Sequence, residues 1–83
     1  MKVTGVTTKK SVSDGTGIYR VTVEYVIGTR GKNVHTASLV YDWFGDTVRF
    51  ADQNEYAMNM RAEDSLYEFV KAYFTLRFYG WEG

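Results

Sequence analysis

"IYRVTVEYVI", residues 18–27, alternates between apolar and polar side chains more strictly than any other stretch of this chain. One face of the stretch carries Tyr19, Val21, Val23, Tyr25 and Ile27, and the other carries Arg20, Thr22 and Glu24. A repeat of two residues is that of a β-strand with one buried and one solvated face. We therefore predict a strand here, and the neighbouring segments are interpreted from it.

Turn signals flank this strand on both sides. Asp14-Gly15 precedes it, and this dipeptide favours a tight hairpin because both residues tolerate positive φ. "GTRGKN" (28–33) and "FGD" (44–46) follow it and predict two more turns. The chain is therefore expected to run back and forth as a meander.

Three further segments show the same alternation. The inward residues of the next strand are predicted to be Ala37, Leu39, Tyr41 and Trp43. "TVRFA" (47–51) predicts a fourth strand with Val48 and Phe50 on one side. "EYAMNM" (55–60), with Tyr56, Met58 and Met60 aligned, predicts a short fifth strand.

From "RAEDSLYEFVKAYF" (61–74) onward the apolar residues follow the spacing of a helix instead. The predicted core stripe of this helix is Leu66, Phe69, Val70, Tyr73 and Leu76. Glu63 and Asp64 occupy the first turn, where the helix dipole favours negative charge, and Gly80 is predicted to end the helix. The predicted fold is α+β: an antiparallel four- or five-stranded β-meander with one C-terminal α-helix packed on one sheet face. That face carries Val21, Val23, Leu39 and Tyr41.

More aromatic residues lie on the helix than this stripe uses. A second stripe consists of Tyr67, Lys71, Phe74 and Phe78. It either widens the buried face and covers a sheet edge, or forms an exposed surface for a partner. A two-fold contact between copies of the chain is a third use of it. Arg77 falls on the core stripe, so either the helix has frayed there or the guanidinium pairs with a carboxylate at the rim.

The composition bounds the class of protein. A chain of 83 residues allows one domain, residues 1–83, and 45% apolar residues are enough for a packed core. There is no cysteine to form disulfides, and no apolar run resembles a signal peptide or membrane span. We expect a soluble, cytoplasmic protein.

Catalytic and metal signatures are missing from the sequence. With one histidine, His35, and no cysteine, the chain cannot assemble a Cys/His nucleophile pair or a Cys/His zinc cluster. Asp42, Asp46 and Asp52 could hold a hard cation, but turn solubility explains them equally well. We expect a protein that is not an enzyme and has no cofactor or metal.

The charges divide unevenly along the chain although the net charge is zero. Residues 1–41 carry six basic against two acidic side chains, and residues 42–83 carry four against eight. The two halves either form two poles or interleave in space and cancel.

The basic half suggests a nucleic-acid site at the predicted hairpin tip that carries Arg30 and Lys32. Glycines flank these two cations, and Lys9, Lys10 and the polar sheet face would extend the site. The alternative is that the cations only guard a sheet edge.

"YDWFGDT" (41–47) is the second surface candidate. Phe44 falls in a turn where it has no obvious burial, between Asp42 and Asp46. An acidic, aromatic turn suits a basic partner site. The predicted partner-binding residues are Tyr67, Lys71, Phe74, Phe78, Phe44, Asp42 and Asp46.

The small size, the lack of cysteine and proline and the aromatic surplus resemble the small stand-alone inhibitors that bacteriophages direct at host machinery, including anti-CRISPR proteins. This resemblance rests on size and build and not on a motif. The functional hypothesis is a viral-type protein-binding inhibitor that covers a functional surface of a larger protein or nucleoprotein complex. The alternative is a nucleic-acid-binding module.

Overall fold

A computed structural model describes residues 1–10, 17–27 and 33–78, with the backbone alone for residues 77 and 78. Its elements, in chain order, are β1 (Lys2–Lys10), β2 (Ile18–Val26), β3 (Val34–Asp42), β4 (Thr47–Phe50), α1 (Gln53–Asn59), one 3₁₀ turn (Met60–Ala62) and α2 (Glu63–Phe78). The strands form one sheet in the order β1-β2-β3-β4, and each neighbouring pair is antiparallel. The predicted α+β meander with a C-terminal helix is confirmed.

Three of the predicted turn and end positions lie outside the described residues. They are the Asp14-Gly15 turn, the hairpin tip with Arg30 and Lys32, and the helix stop at Gly80. Their assignments stay predictions.

The helix-covered face of the sheet is the one that the alternation of β2 predicts. Val21 pairs with Leu39 and Val23 with Ala37, so these side chains share a face. The core of the described residues consists of Val21, Val23, Tyr25, Ala37, Leu39, Tyr41, Phe50, Ala62, Leu66, Val70 and Phe74. The predicted packing of helix on sheet is therefore confirmed. None of the described helices is long and apolar enough to cross a bilayer.

The predicted fifth strand is wrong, because residues 53–59 form α1. The Asp52 side chain accepts a hydrogen bond of 2.9 Å from the Glu55 amide and so caps the start of the helix. Met58 on α1 and Met60 at the start of the 3₁₀ turn are exposed, and Asn59 between them is buried. A cap at Asp52 with a glutamate three residues on is a helix-start signal, and it outweighs a short alternating pattern.

Helix α1 covers the part of β3 that β4 is too short to pair. β4 has four residues and pairs only with the second half of the nine-residue β3. Beyond this pairing, the Ser38 amide donates to Glu55 Oε1 at 2.8 Å, and Asn59 Nδ2 donates to the Thr36 carbonyl at 3.5 Å. The Tyr25 hydroxyl donates to Asn59 Oδ1 at 2.6 Å. Side chains of α1 therefore take the place of a neighbouring strand.

The buried side of α2 follows Leu66, Val70 and Phe74, which are all fully buried. The prediction that Leu76 belongs to the core stripe is wrong, since its side chain is 66% exposed. The helix crosses the sheet so that Phe74, not Leu76, reaches the sheet. The Phe74 ring stacks on Tyr41 at 4.3 Å and contacts Tyr19 at 5.1 Å between ring centroids.

Candidate protein-binding surface

The turn between β3 and β4, residues 43–46, is held by hydrogen bonds from the strand ends. Asp42 Oδ1 accepts from the Phe44 amide at 3.0 Å and from the Gly45 amide at 3.4 Å. An aspartate that bonds the amides two and three residues ahead closes a turn in place of a backbone carbonyl. The Trp43 amide donates to the Gly17 carbonyl at 3.0 Å, which joins the turn to the start of β2.

The far side of this turn is fixed by Asp46. Its φ is 51°, in the left-handed region that aspartate tolerates better than most residues. The Tyr41 hydroxyl donates to Asp46 Oδ1 at 2.9 Å. Since Tyr41 is a core residue, this bond ties the turn to the interior. Residues 43–46, called the aromatic turn below, thus have a defined backbone.

This rigid turn presents two aromatic rings to the outside. The Phe44 side chain is 70% exposed, as its position in a turn predicts. Trp43 is 37% exposed, so its predicted inward position is wrong, because β3 ends at Asp42 and the alternation ends with it. The two rings meet edge to face at 5.1 Å. A Cβ at Gly17 would lie 3.3 Å from the Phe44 ring, so the ring rests against the Gly17 backbone.

A groove of about 580 Å³ lies between α2 and β4, the strand that comes directly after the aromatic turn. Its lining residues come from β4 and from one flank of α2: Thr47, Val48, Asp64, Tyr67, Glu68 and Lys71. We call it the β4 groove. Tyr67 and Lys71 were both predicted from their helical positions as members of one stripe, and the structure brings them together here. The other four lining residues were not predicted to belong to a site, because their association depends on which strand lies beside α2.

Tyr67 forms the inner wall of the β4 groove. Its side chain is half-buried and packs 5.5 Å from Phe50, measured between ring centroids. Burial raises the pKa of its hydroxyl, and the charge of Glu63 and the hydrogen bond to that carboxylate raise it further. A hydrogen bond from the Phe50 backbone lowers the same pKa. The Tyr67 hydroxyl is therefore influenced both by Glu63 of α2 and by the backbone of Phe50 in β4.

The other predicted partner-binding residues have different outcomes. Phe74 is fully buried against Tyr41 and Tyr19, so its assignment to a partner surface is wrong. Asp42 and Asp46 lie at the predicted site, but each uses a carboxylate oxygen to hold the turn. The side chains of Phe78 and Arg77 lie outside the described part of the chain.

The opposite face of the sheet has no described helix over it and carries a row of cations. Lys9 pairs with Arg20, Arg20 with Val40, and Val40 with Arg49, so one rung crosses all four strands. Lys9, Arg20 and Arg49 are exposed, and we call them the cation row. Val40 is only 8% exposed although it lies on this open face. The aliphatic stems of the arginines on either side can account for this cover.

The structure describes only some residues of the predicted nucleic-acid site. Lys32 lies outside the described residues, as does Arg30, so a contribution of Lys32 to such a site stays a prediction. Lys9 and Lys10 are exposed at the end of β1 that pairs with the start of β2, whereas residues 28–32 follow the other end of β2. Lys9 and Lys10 therefore lie beside the start of β2, and their association with Arg30 and Lys32 in one site stays a prediction.

Within the described cations, the strand geometry separates Lys9 from Lys10. Successive residues of a strand point to opposite faces, so Lys9 lies on the open face and Lys10 does not. Arg49 was not singled out from the sequence, because its place in the cation row depends on the strand register.

A second groove of about 610 Å³ lies near the end of β2, and the exposed Ile27, Met58 and Met60 line part of it. His35 also lines it, and its ring stacks on Tyr25 with centroids 5.2 Å apart. The sequence missed this apolar patch because residues 55–60 were interpreted as a strand.

The three aspartates considered as cation ligands have separate structural roles. Asp42 and Asp46 hold the aromatic turn, and Asp52 caps α1. Within residues 1–10, 17–27 and 33–78, no three histidine or acidic side chains lie close enough to hold a metal ion.

Comparisons of the chain with protein-family models, curated proteins and solved structures found no match.

Proposed function

We propose that this chain is a protein-binding module, and that the aromatic turn and the β4 groove form its contact surface. The observation that carries the proposal is the position of Phe44: a large apolar ring is 70% exposed on a backbone held by several hydrogen bonds. Ordering a loop on binding costs free energy, and a turn that is already ordered avoids this cost. Exposed aromatic residues on rigid supports are typical of the residues that dominate binding energy.

The charges around this surface favour a basic partner. Asp46, Asp64 and Glu68 are exposed around the turn and groove, and Lys71 is the cation among them. Complementary charge speeds encounter and selects the partner. A basic site on a larger protein or nucleoprotein complex, such as one that normally holds nucleic acid, has the required sign. By covering such a site in the cytoplasm the chain would act as an inhibitor, in the manner of the phage inhibitors that it resembles in size.

The experiment compares affinity capture by the wild type and by Phe44→Ala from a lysate of the cells that make this protein. Met58→Ala is the matched control, because Met58 is also an exposed apolar residue, 66% exposed, but lies on α1. Purified captured protein is then titrated against all three forms by calorimetry. We expect Phe44→Ala to weaken binding by about 2 kcal/mol or more, the size of a hot-spot residue.

Both variants should melt at the temperature of the wild type, because neither side chain is part of the buried core. Equal affinity of Phe44→Ala and the wild type would contradict the proposal. A loss of affinity in Met58→Ala alone would move the contact surface to the second groove.

Nucleic-acid binding is the second candidate function, and the cation row favours it. Like charges directly opposite each other destabilise a sheet, and Lys9 faces Arg20 with no acidic residue on the same rung. A bound phosphate backbone would relieve this repulsion. The strands are about 4.8 Å apart, so the row presents its charges along a line across the sheet.

Fluorescence anisotropy with a labelled single-stranded oligonucleotide over a range of salt concentrations tests this candidate. The double variant Arg20→Gln/Arg49→Gln should reduce the slope of log affinity against log salt by about 1.4, or 0.7 for each lost phosphate contact. Arg61→Gln is the control, because Arg61 is an exposed cation of the helical layer. Weak binding with the same slope in all three proteins would rule out the cation row.

A further inference from the structure

Strand β4 is an edge of the sheet, and the pairing register shows which of its backbone groups face outward. The Ala51 amide donates to the Ser38 carbonyl at 2.9 Å, in the same register that pairs Phe50 with Leu39 and Val48 with Tyr41. In an antiparallel pair, residues that exchange hydrogen bonds alternate with residues whose amide and carbonyl point away. Arg49 and Thr47 therefore bond to β3, and the backbone groups of Val48 and Phe50 point away from it.

Tyr67 lies beside one of these outward groups. Its ring packs on that of Phe50 with the centroids 5.5 Å apart, and the Phe50 backbone lowers the pKa of its hydroxyl. For Val48, among the described residues, no hydrogen bond outside the strand pairing reaches its amide or carbonyl. These two groups lie where Val48 lines the β4 groove.

We propose that the β4 edge accepts an extended segment of the partner as a fifth strand, with a lysine or arginine of that segment directly opposite Val48. The proposal deepens the proposed function and rests on it. The partner residue opposite Val48 would exchange two backbone hydrogen bonds with it, and addition of a strand to an exposed edge is an established mode of peptide recognition.

The side chain of that partner residue is specified by the groove. Residues directly opposite each other point to the same face, and Val48 is half-buried on the face that α2 covers. The partner side chain would therefore extend toward the flank of α2, where the carboxylates of Asp64 and Glu68 and the ammonium group of Lys71 are exposed. A long cationic side chain can reach the two carboxylates, and because they outnumber the ammonium group the local net charge disfavours an acidic side chain.

The same charges argue against a second copy of this chain as the occupant. Pairing of β4 with β4 across a two-fold axis would place the same charge set, two carboxylates and the one ammonium group of Lys71, on both sides of the contact. Like charges brought together at an interface cost free energy and suppress the wrong partner. The groove thus favours a basic strand from a different protein.

The test uses a defined peptide probe, so the partner protein need not be identified first. The probe is an acetylated, amidated peptide of threonine, valine, lysine, valine and threonine, which is titrated into the isotope-labelled full chain and followed by nuclear magnetic resonance. We expect shift changes in residues 46–50 and 64–71, and amide hydrogen exchange of Val48 that is slowed about tenfold at saturation, equivalent to about 1.4 kcal/mol.

Two altered peptides separate the backbone and charge contributions. A peptide N-methylated at the lysine lacks the donor to the Val48 carbonyl and should not bind, and a peptide with glutamate in place of lysine should bind at least about fivefold more weakly. In the protein, Val48→Pro removes the outward amide and should abolish binding, and Val48→Thr keeps the amide and should retain it. Proline is tolerated in an edge strand where its nitrogen faces away from the neighbouring strand. If Val48→Pro does not fold, the N-methylated peptide still decides the question.

Shift changes outside the β4 groove, or equal binding of the lysine and glutamate peptides, would overturn the proposal. Protection of the Val48 amide that rises with protein concentration in the absence of peptide would identify a second copy as the occupant and also overturn it. The proposed function is tested separately. If Phe44→Ala loses partner binding but Val48→Pro keeps it, the proposed contact surface is supported and strand addition is refuted. If the peptide binds at β4 but Phe44→Ala binds the partner as tightly as the wild type, strand addition is supported and the proposed contact surface is refuted.

Discussion

At the scale of single residues, Asn59 is the polar group that joins α1 to the sheet. It accepts from the Tyr25 hydroxyl and donates to the Glu55 and Thr36 carbonyls, and it is buried. Asn59→Ala leaves the buried Tyr25 hydroxyl without its acceptor, so we expect a loss of about 2 to 3 kcal/mol in the free energy of unfolding. Urea denaturation measures this loss.

The control for this prediction is Asn54→Ala, since Asn54 is an exposed asparagine of the same helix. Surface substitutions of this kind usually stay within about 0.5 kcal/mol. Equal urea midpoints for the two variants would contradict the role given to Asn59.

Two tyrosines predict how stability depends on pH. Burial raises the pKa of the Tyr25 hydroxyl and the charge of Glu55 raises it further, and the pKa of Tyr67 is also raised. An unfolded tyrosine has a pKa of about 10, so above that pH the unfolded chain loses protons that the folded chain keeps. The contribution of these residues is therefore complete below about pH 10 and is lost as the pH rises through the folded pKa values.

Urea denaturation from about pH 8 to about pH 11 should show this fall in the free energy of unfolding. Tyr67→Phe serves as the comparison, because it removes one of the two raised groups and should make the fall shallower. A free energy that stays constant over this range would contradict the prediction.

At the scale of the elements, α2 depends on Phe74 more than on any residue near its C-terminal end. Phe74 is fully buried between two tyrosine rings of the sheet. Phe74→Ala should cost about 3 to 5 kcal/mol, the range for emptying a buried phenylalanine site. Leu76→Ala, two residues on and exposed, should cost less than about 0.5 kcal/mol. Thermal unfolding distinguishes the two, and a larger effect at Leu76 would refute the observed helix orientation.

The elements also show how far the sequence can be taken. Long regular patterns, such as the alternation of β2 and the helical spacing from Leu66 to Val70, predicted the strand, the helix and their contacting faces. Two other predictions were wrong. The alternation of Tyr56, Met58 and Met60 predicted a strand where the chain forms a helix. The position of Phe74 on the helical wheel predicted a surface residue, because the spacing of residues does not show how α2 crosses the sheet.

The candidate site was predictable to a similar degree. Phe44 stood out because it falls in a turn, and Tyr67 and Lys71 because they share a helix flank. The cation row and the outward groups of Val48 could not be found in this way. They follow from the register between strands, which the length and geometry of the connecting turns set.

At the scale of the whole molecule, the described charges differ between the two sides of the sheet. The cation row lies on the open face, and the opposite, helical layer carries Glu63, Asp64 and Glu68 among its acidic side chains. Since Arg49 of the row comes from the acidic half of the sequence, the sheet face and not the sequence half decides the side on which these charges lie.

This polarity predicts binding to both kinds of ion exchanger although the net charge is zero. At about pH 7 and ionic strength below about 0.01 M, where the Debye length is about 30 Å, we expect retention on anion- and cation-exchange resins. Arg20→Gln/Arg49→Gln should elute earlier from the cation exchanger, and Arg61→Gln should elute with the wild type. Equal early elution of both variants would show that retention depends on net charge alone.

The cover that α1 gives to β3 has a consequence for the lifetime of the protein in solution. Glu55 and Asn59 occupy backbone groups of Ser38 and Thr36 that would otherwise be open to any extended chain. In a molecule whose α1 had detached, the first half of β3 would be a template for pairing with other molecules. Asp52→Ala removes the side-chain cap of α1 and should therefore shorten the lag before fibrils form. The lag should be shortened more than in a variant that loses the same free energy of unfolding but leaves α1 intact. The helix that completes the fold thus also occupies the strand edge on which pairing between molecules would begin.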